Sequence, residues 1–134
     1  MGRKNPLRSK ICKNRKGNNM AVRMDGKAVS AQVRDAVAQE VAALKGQGVC
    51  PGLAVVIVGD DPASRIYVNN KKKACQATGI YSEEYALPAS TTQEELLALV
   101  DKLNAKKDIH GILVQSPLPK GLDEGAVVEA IAPQ

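Results

Sequence analysis

The sequence predicts an α/β fold, a three-layer sandwich in which a mainly parallel sheet is flanked by helices. Helical and strand patterns alternate along the chain after residue 24. The clearest strand, LAVVIVG at residues 53–59, is a continuous apolar run rich in β-branched residues, as in strands that helices cover on both faces. The length of 134 residues, with 44% hydrophobic and 25% charged residues, suits one globular domain. Because sequential parallel strands need crossover helices, the alternation favours a parallel sheet.

The first elements are a helix, a turn and the apolar strand. A helix is predicted over residues 28–44, where apolar side chains recur at spacings of four and three residues. These side chains are Val29, Val33, Val37, Val41 and Leu44. The helix should end in the sequence KGQG, and a Pro-Gly turn at residues 51–52 then leads into the strand at residues 53–59. The amphipathic pattern predicts that this helix packs against the sheet.

The remaining elements follow the same alternation. A second helix should open at Ala63 or Ser64 and end near Gly79, and residues 81–87 form a weaker strand. Thr91 and Thr92 are each followed three residues later by a glutamate. They offer two registers of a capping box for a third helix that runs through residue 103. Residues 109–115 then predict a third strand, and residues 123–131 a short final helix.

Composition excludes several classes of function. No apolar run approaches the roughly 20 residues of a membrane-spanning helix. Three scattered cysteines (Cys12, Cys50 and Cys75) and one histidine do not make a disulfide framework or a zinc site, which favours a reducing compartment and no bound metal. Aromatic residues make up only 2% of the chain, so a base-stacking surface for nucleic acid is not expected.

The net charge of +5 comes from the first residues alone. Residues 1–23 carry eight cations and no acids, which leaves 11 of the 19 cations against all 14 acids, a net charge of −3 for residues 24–134. Residues 1–23 are therefore predicted to be a basic disordered extension, and residues 24–134 the folded domain. Three interpretations of the extension stay open: a mitochondrial transit peptide, a nucleic-acid-binding arm, or a start assigned too early, the true one being Met20 or Met24.

Ligands of open parallel sheets bind beyond the carboxyl ends of the strands. The segment after the first strand reads GDDPASRIYVNNKKKAC, and its Ser64, Tyr67, Lys71 and Cys75 share one helix face at spacings of three, four and four. If Lys71 faces a partly dry crevice, loss of hydration favours the neutral amine, which could then act as an acid or base near pH 7. The alternative is an ordinary surface lysine, as expected for Lys72 and Lys73.

The segment at the end of the third strand reads GILVQSPLPKG. Two prolines cannot continue a ladder of backbone hydrogen bonds, so a stiff loop should hold Gln115 at the mouth of the crevice. The amide of Gln115 could orient an amine by accepting a hydrogen bond without adding charge. The alternative is a residue at a strand end that bonds only to nearby backbone.

These motifs resemble those of a known family. The segments MDGKAVSAQVRDAV, PGLAVVIVGDDPAS, YVNNKKKAC and DIHGILVQSPLPKGLDE match, in order and spacing, the amino-terminal, folate-binding catalytic domain of bifunctional methylenetetrahydrofolate dehydrogenase/methenyltetrahydrofolate cyclohydrolase. The resemblance covers residues 24–134, about four-fifths of the chain. Many members have leucine where this chain has Ser116, a mild departure.

The resemblance implies site residues. Lys71 corresponds to the catalytic lysine that handles protons when water attacks the methenyl bridge, Tyr67 to the tyrosine that packs on the folate, and Gln115 to the glutamine that contacts the lysine. Ser64, Pro117 and Leu118 correspond to further substrate-binding positions.

The implied function is folate one-carbon interconversion, which serves purine and amino-acid biosynthesis. Methylene-tetrahydrofolate is oxidised to the methenyl form with NADP, and the methenyl form is hydrolysed to formyl-tetrahydrofolate. The resemblance also implies a cytoplasmic homodimer. The 134 residues contain neither a G-x-G-x-x-G turn nor the family's dinucleotide domain, so we expect no dehydrogenase step from this chain alone. The alternative is a non-catalytic domain that keeps only the fold and weak folate binding.

Overall fold

A computed structural model describes residues 25–133, so the predicted basic extension lies outside the described residues. Within that range four helices alternate with three strands, close to the predicted bounds. They are α1 (Gly26–Gly46), β1 (Gly52–Val58), α2 (Pro62–Thr78), β2 (Tyr81–Leu87), α3 (Gln93–Asn104), β3 (Gly111–Val114) and α4 (Glu124–Ala130). The whole sheet lies within one compact unit that begins at Gln32. No helix in the described range is long and apolar enough to cross a membrane.

The three strands form a parallel sheet in the order β2-β1-β3, as the alternation predicted. On one face, Val55 and Ile57 of β1 form a buried cluster with Val68 of α2. On the other face, alternate residues of β1 pack against α3 and α4, with Leu96 and Val127 fully buried. Both faces of β1 are therefore covered, and the predicted three-layer α/β sandwich is confirmed.

Local signals set the ends of the helices. The side chain of Asp61 accepts a hydrogen bond from the Ser64 backbone N–H at 2.7 Å and caps α2, which Gly79 ends in a left-handed conformation. Of the two capping-box registers that the sequence allowed, the structure uses Thr92 with Glu95, each side chain bonded to the other residue's backbone N–H.

The first helix differs from its prediction. Of the apolar side chains predicted to face the sheet, only Val41 is buried, whereas Val29 and Val33 are more than half exposed. Val33 and Val37 border an apolar groove of about 220 Å³ that Ala74, Cys75 and Ile80 also line. The amphipathic pattern identified the helix but not how far it would be covered, because spacing alone does not say what packs on a face.

One face of β2 carries an ion pair with several hydrogen bonds. The Glu83 carboxylate accepts hydrogen bonds from the hydroxyls of Tyr81 and Tyr85 and from the ammonium of Lys106, which follows α3. The hydrogen bond from Lys106 and those from the two tyrosines lower the pKa of Glu83 to about 2. The same contact raises the pKa of Lys106 to about 12. These bonds tie β2 to the end of α3.

The depressed pKa of Glu83 predicts acid sensitivity. Because the folded value lies below the unfolded one, Glu83 adds stability above pH 4.5, and the contribution is lost as the pH falls towards about 2. Thermal melts of the wild type and Glu83→Gln should differ most at neutral pH and converge near pH 2. A difference in melting temperature that does not change between pH 7 and pH 2 would contradict this assignment.

Candidate functional site

The structure brings Lys71 and Gln115 together at the carboxyl end of the sheet. The Lys71 ammonium on α2 donates a hydrogen bond to the Gln115 side-chain oxygen at 3.1 Å. Gln115 follows β3, and its backbone N–H extends the ladder to the carbonyl of Val56 at 2.8 Å. Its side-chain NH₂ donates to the Ser116 carbonyl at 2.7 Å, which fixes the amide with its oxygen towards the lysine. Of the two arrangements that the sequence left open, the amide oxygen therefore shows the first, contact with the amine, while the amide NH₂ also bonds to nearby backbone.

Tyr67 lies one turn before Lys71 on the same side of α2. The Lys71 nitrogen lies 5.6 Å from the centroid of the Tyr67 ring, within the range of a cation–π contact. The tyrosine is 58% exposed and Lys71 is half-buried. Lysine, tyrosine and glutamine thus form one cluster, with the aromatic ring open to a flat ligand.

The other members of the predicted helix face are buried. Ser64 is 3% exposed at the start of α2, where it bonds to Asp61 and lowers the pKa of that carboxyl. Cys75 is 5% exposed, and burial raises the pKa of its thiol, which holds it in the unreactive protonated form. The accessible part of the face is therefore its middle, at Tyr67 and Lys71.

The loop after β3 supports the glutamine. The Ser116-Pro117 peptide bond is cis, and Pro117 is exposed. Leu118 is half-buried and packs against the core cluster on the α3 side of the sheet. The predicted substrate contacts therefore differ in availability, because Pro117 is open to a ligand and Leu118 is partly engaged in packing.

Comparison with known proteins decides the family. Residues 24–134 match the family model described as "Tetrahydrofolate dehydrogenase/cyclohydrolase, catalytic domain". The chain belongs to this family. The resemblance inferred from the motifs is thereby confirmed.

Relatives in the tetrahydrofolate dehydrogenase/cyclohydrolase family are much longer than this chain. The bifunctional protein FolD of Geotalea daltonii is 58% identical over 115 residues, which are 86% of this chain and 41% of that protein. The FolD of Moorella thermoacetica is 58% identical over 109 residues, 81% of this chain and 39% of that protein. The chain therefore spans about 40% of these relatives.

Solved structures of the family share the fold. The Campylobacter jejuni bifunctional enzyme FolD-methylenetetrahydrofolate dehydrogenase/cyclohydrolase is 45% identical with a TM-score of 0.79, over 81% of this chain and 38% of that one. The Trypanosoma brucei dehydrogenase-cyclohydrolase, solved with NADP cofactor and an inhibitor, is 39% identical with a TM-score of 0.79. That match covers 84% of this chain and 39% of the other.

The turn at the tip of β1 does not suit the dinucleotide that the family uses. It reads GDDPA, and the Asp61 carboxylate already occupies the first backbone N–H groups of α2. A pyrophosphate at this helix end would lose those donors and meet the negative charges of Asp60 and Asp61. The residues described here therefore do not fit NADP at this turn.

A second cluster on α2 was not expected from the sequence. Lys72, expected to be solvated, donates to the Glu84 carboxylate of β2 at 2.8 Å, and Arg65 donates to the same carboxylate at 3.0 Å. Lys72 keeps 41% of its side chain exposed and is still a surface lysine, but it is paired with a half-buried carboxylate that the sequence did not indicate. Lys73 is exposed as expected. The available signal was the spacing of seven residues between Arg65 and Lys72, which places them on one helix face.

The cavity at the carboxyl ends of the strands is not the partly dry crevice that was expected at Lys71. A cavity of about 400 Å³ does lie at the carboxyl ends of β1 and β2, between Gly59, Asp60, Arg65 and residues 86–89. Lys71, Tyr67 and Gln115 do not line it. The cluster itself is an open surface, half enclosed by α2 and the loop after β3.

Proposed function

We propose that this domain supplies the folate-binding side of a methenyl-tetrahydrofolate cyclohydrolase site, with Lys71 as the acid–base residue. The proposal also assigns Tyr67 to packing on the folate, Gln115 to orienting the lysine, and Ser64, Pro117 and Leu118 to the substrate pocket. The contact that carries it is the 3.1 Å hydrogen bond from the Lys71 ammonium to Gln115. This amine lies at the edge of the sheet where open α/β folds bind ligands, next to an exposed aromatic ring.

The chemistry follows from one amine that can take and return a proton. The methenyl carbon lies between two nitrogens as an electrophilic amidinium, so water attacks that carbon. As the new C–O bond forms, the amine of Lys71 takes one proton from the water and a carbinolamine results. The ammonium then gives a proton to the departing nitrogen as its C–N bond breaks. The carbinolamine hydroxyl loses its proton to solvent as the C=O bond of the formyl product forms. Gln115 orients the ammonium form of the lysine by accepting its hydrogen bond without adding a charge.

The relatives are longer than this chain, and the rest of the proposal concerns the activities of such longer proteins. Oxidation of methylene-tetrahydrofolate needs NADP as the hydride acceptor, and we assign no residue of this chain to that cofactor. We propose the same folate surface as the place where the methylene substrate is held. A homodimer and a cytoplasmic location complete the proposal, the latter supported by three scattered cysteines, of which Cys50 and Cys75 are free thiols.

An alternative function is folate binding without turnover. The observation that favours it is the openness of the site, since Tyr67 is 58% exposed and leaves water free access to the cluster. Catalytic electrostatics are weaker where water is not excluded.

One experiment separates the two functions. The loss of methenyl-tetrahydrofolate absorbance is followed with the 134-residue chain, alongside a fluorescence titration with a folate analogue. Hydrolysis above the buffer rate together with saturable binding supports the cyclohydrolase. Binding without hydrolysis supports the alternative, and absence of both rejects a folate site on this chain.

Replacing Gln115 by glutamate should slow hydrolysis. A carboxylate at the position of the amide oxygen, 3.1 Å from the Lys71 nitrogen, would hold the ammonium in an ion pair, so that it exchanges protons with the substrate less readily. The rate should fall about tenfold. Gln115→Met is the uncharged control and should lower the rate less, because it removes the orienting contact without adding a charge. A Gln115→Glu rate equal to that of the wild type would show that Gln115 does not contact the reacting amine.

A further inference from the structure

We propose that Glu84 of β2 is a positioning residue for Lys71. It sets the rotation of α2 about its axis by holding Arg65 and Lys72, so that the neighbouring Lys71 is directed to Gln115. The inference rests on the proposed function for its catalytic consequence, but the geometry that it describes can be measured independently of turnover.

The buried residue Val68 shows how α2 is oriented on the sheet. Val68 is fully buried against Val55 and Ile57 of β1, the central strand, so it marks the line along which α2 touches the sheet. Successive residues of a helix are rotated by about 100°. Lys72 then lies about 40° to one side of Val68, and Lys71 about 60° to the other.

The two sides of α2 face different strands, β2 on one side and the end of β3 on the other. Arg65 lies on the same side as Lys72, about 60° from the line of Val68. Both cations reach Glu84 on β2, at 3.0 and 2.8 Å. Lys71 on the opposite side reaches Gln115 at the end of β3. Because β1 lies between β2 and β3, α2 is held from both edges of the sheet.

The contacts of α2 with β2 are stronger than its contact with the end of β3. The Glu84 side chain is 21% exposed, and its two oxygens are each taken by a different cation. The Arg65 and Lys72 side chains are 37% and 41% exposed, but the two charge-assisted bonds share one partly buried carboxylate, and such small networks hold better than isolated surface pairs. On the β3 side, one hydrogen bond joins Lys71 to a neutral amide. Loss of the Glu84 charge should therefore let α2 roll and loosen the Lys71–Gln115 contact.

The test is the chemical reactivity of Lys71, read against Lys73 as an internal reference. Lysines of the full chain are acetylated with limiting acetic anhydride, and each site is quantified by mass spectrometry. In the wild type, the hydrogen bond to Gln115 should slow labelling of Lys71 relative to exposed Lys73. Gln115→Ala gives the ratio for a released lysine.

Glu84→Gln should raise the Lys71/Lys73 labelling ratio at least threefold, towards the Gln115→Ala value, and Lys72→Met should raise it less because Arg65 still holds Glu84. The matched control is Glu83→Gln, which removes an ion-paired carboxylate from the adjacent position of β2 on the other face of the sheet. It should lower the melting temperature without changing the ratio. An unchanged ratio in Glu84→Gln, or an equal rise in Glu83→Gln, would overturn the proposal.

If the chain hydrolyses methenyl-tetrahydrofolate, the kinetic constants of Glu84→Gln give a second measurement. Glu84→Gln should lower kcat about fivefold to tenfold with KM changed less than twofold, since misplacing a reacting group affects the chemical step more than binding. If Lys71→Met retains full activity, the proposed function fails. The Lys71/Lys73 labelling ratio then still tests whether Glu84 positions Lys71. Normal kcat in Glu84→Gln together with an unchanged ratio would reject that role alone.

Discussion

Lys71→Met should reduce hydrolysis of methenyl-tetrahydrofolate by about 100-fold or more, the usual contribution of general acid–base catalysis. Methionine retains much of the length of the lysine side chain but neither accepts a proton from water nor returns one to the departing nitrogen. It also leaves the Gln115 oxygen without its donor. The measurement is the initial loss of methenyl-tetrahydrofolate absorbance at saturating substrate, with binding of a folate analogue followed in parallel.

Lys73→Met is the matched control for this substitution. It makes the same chemical change two residues along α2, at an exposed lysine, and should leave the hydrolysis rate within about twofold of the wild type. Comparable rates for the wild type and Lys71→Met would remove Lys71 from the mechanism. A loss of equal size in Lys73→Met would point to a general charge effect of α2 instead.

Gly52→Ala should destabilise the fold by about 3 kcal/mol, the upper end of the usual cost of overpacking. A Cβ at residue 52 would lie 1.9 Å from the backbone carbonyl oxygen of Asp108. The segment cannot simply move away, because the Gly52 N–H donates to the His110 ring nitrogen at 3.1 Å and the His110 N–H donates to the Gly52 carbonyl at 2.8 Å. The start of β1 would therefore have to separate from the segment before β3.

The melting temperature of Gly52→Ala should fall by about 10 °C or more for a domain of this size. Gly46→Ala provides the comparison, since a Cβ at the end of α1 meets nothing within 4 Å. Alanine is also the better helix former, so its free energy of unfolding should be unchanged or higher by up to about 1 kcal/mol. Equal melting temperatures for the two variants would show that the approach of Asp108 to Gly52 is not tight in solution.

Much of the fold was accessible from local patterns. The apolar run of β1 indicated a strand covered on both faces, and the spacing in α2 and α3 indicated helices, because these patterns report which face of an element avoids water. The amino-acid pattern left two registers open at Thr91 and Thr92. The structure chose Thr92, because its side chain and that of Glu95 satisfy each other's backbone N–H groups.

Part of the candidate site was equally accessible. Tyr67 and Lys71 share a helix side by spacing, and the prolines after Gln115 predicted a loop that ends the strand. The contact between Lys71 and Gln115 spans 44 residues of sequence. It was expected because the carboxyl ends of parallel strands meet at one edge of a sheet, and because the family resemblance implied it.

The ion pairs of Glu84 could not be predicted in the same way. Only the spacing from Arg65 distinguishes Lys72 from Lys73, and that spacing does not indicate a partner, so both were expected to be solvated. The difference depends on which edge strand lies beside α2, and that is set by the order β2-β1-β3.

By itself the sequence determined the type and order of the elements, the family, and the residues that could carry acid–base chemistry, because each of these depends on neighbours within a few positions of the chain. The tertiary structure alone decided that Lys72 is held by Glu84, that most of the α1 stripe is exposed, and that the Lys71 cluster is open. The physical reason is that burial and charge pairing depend on surfaces brought together from distant segments, which no local spacing encodes.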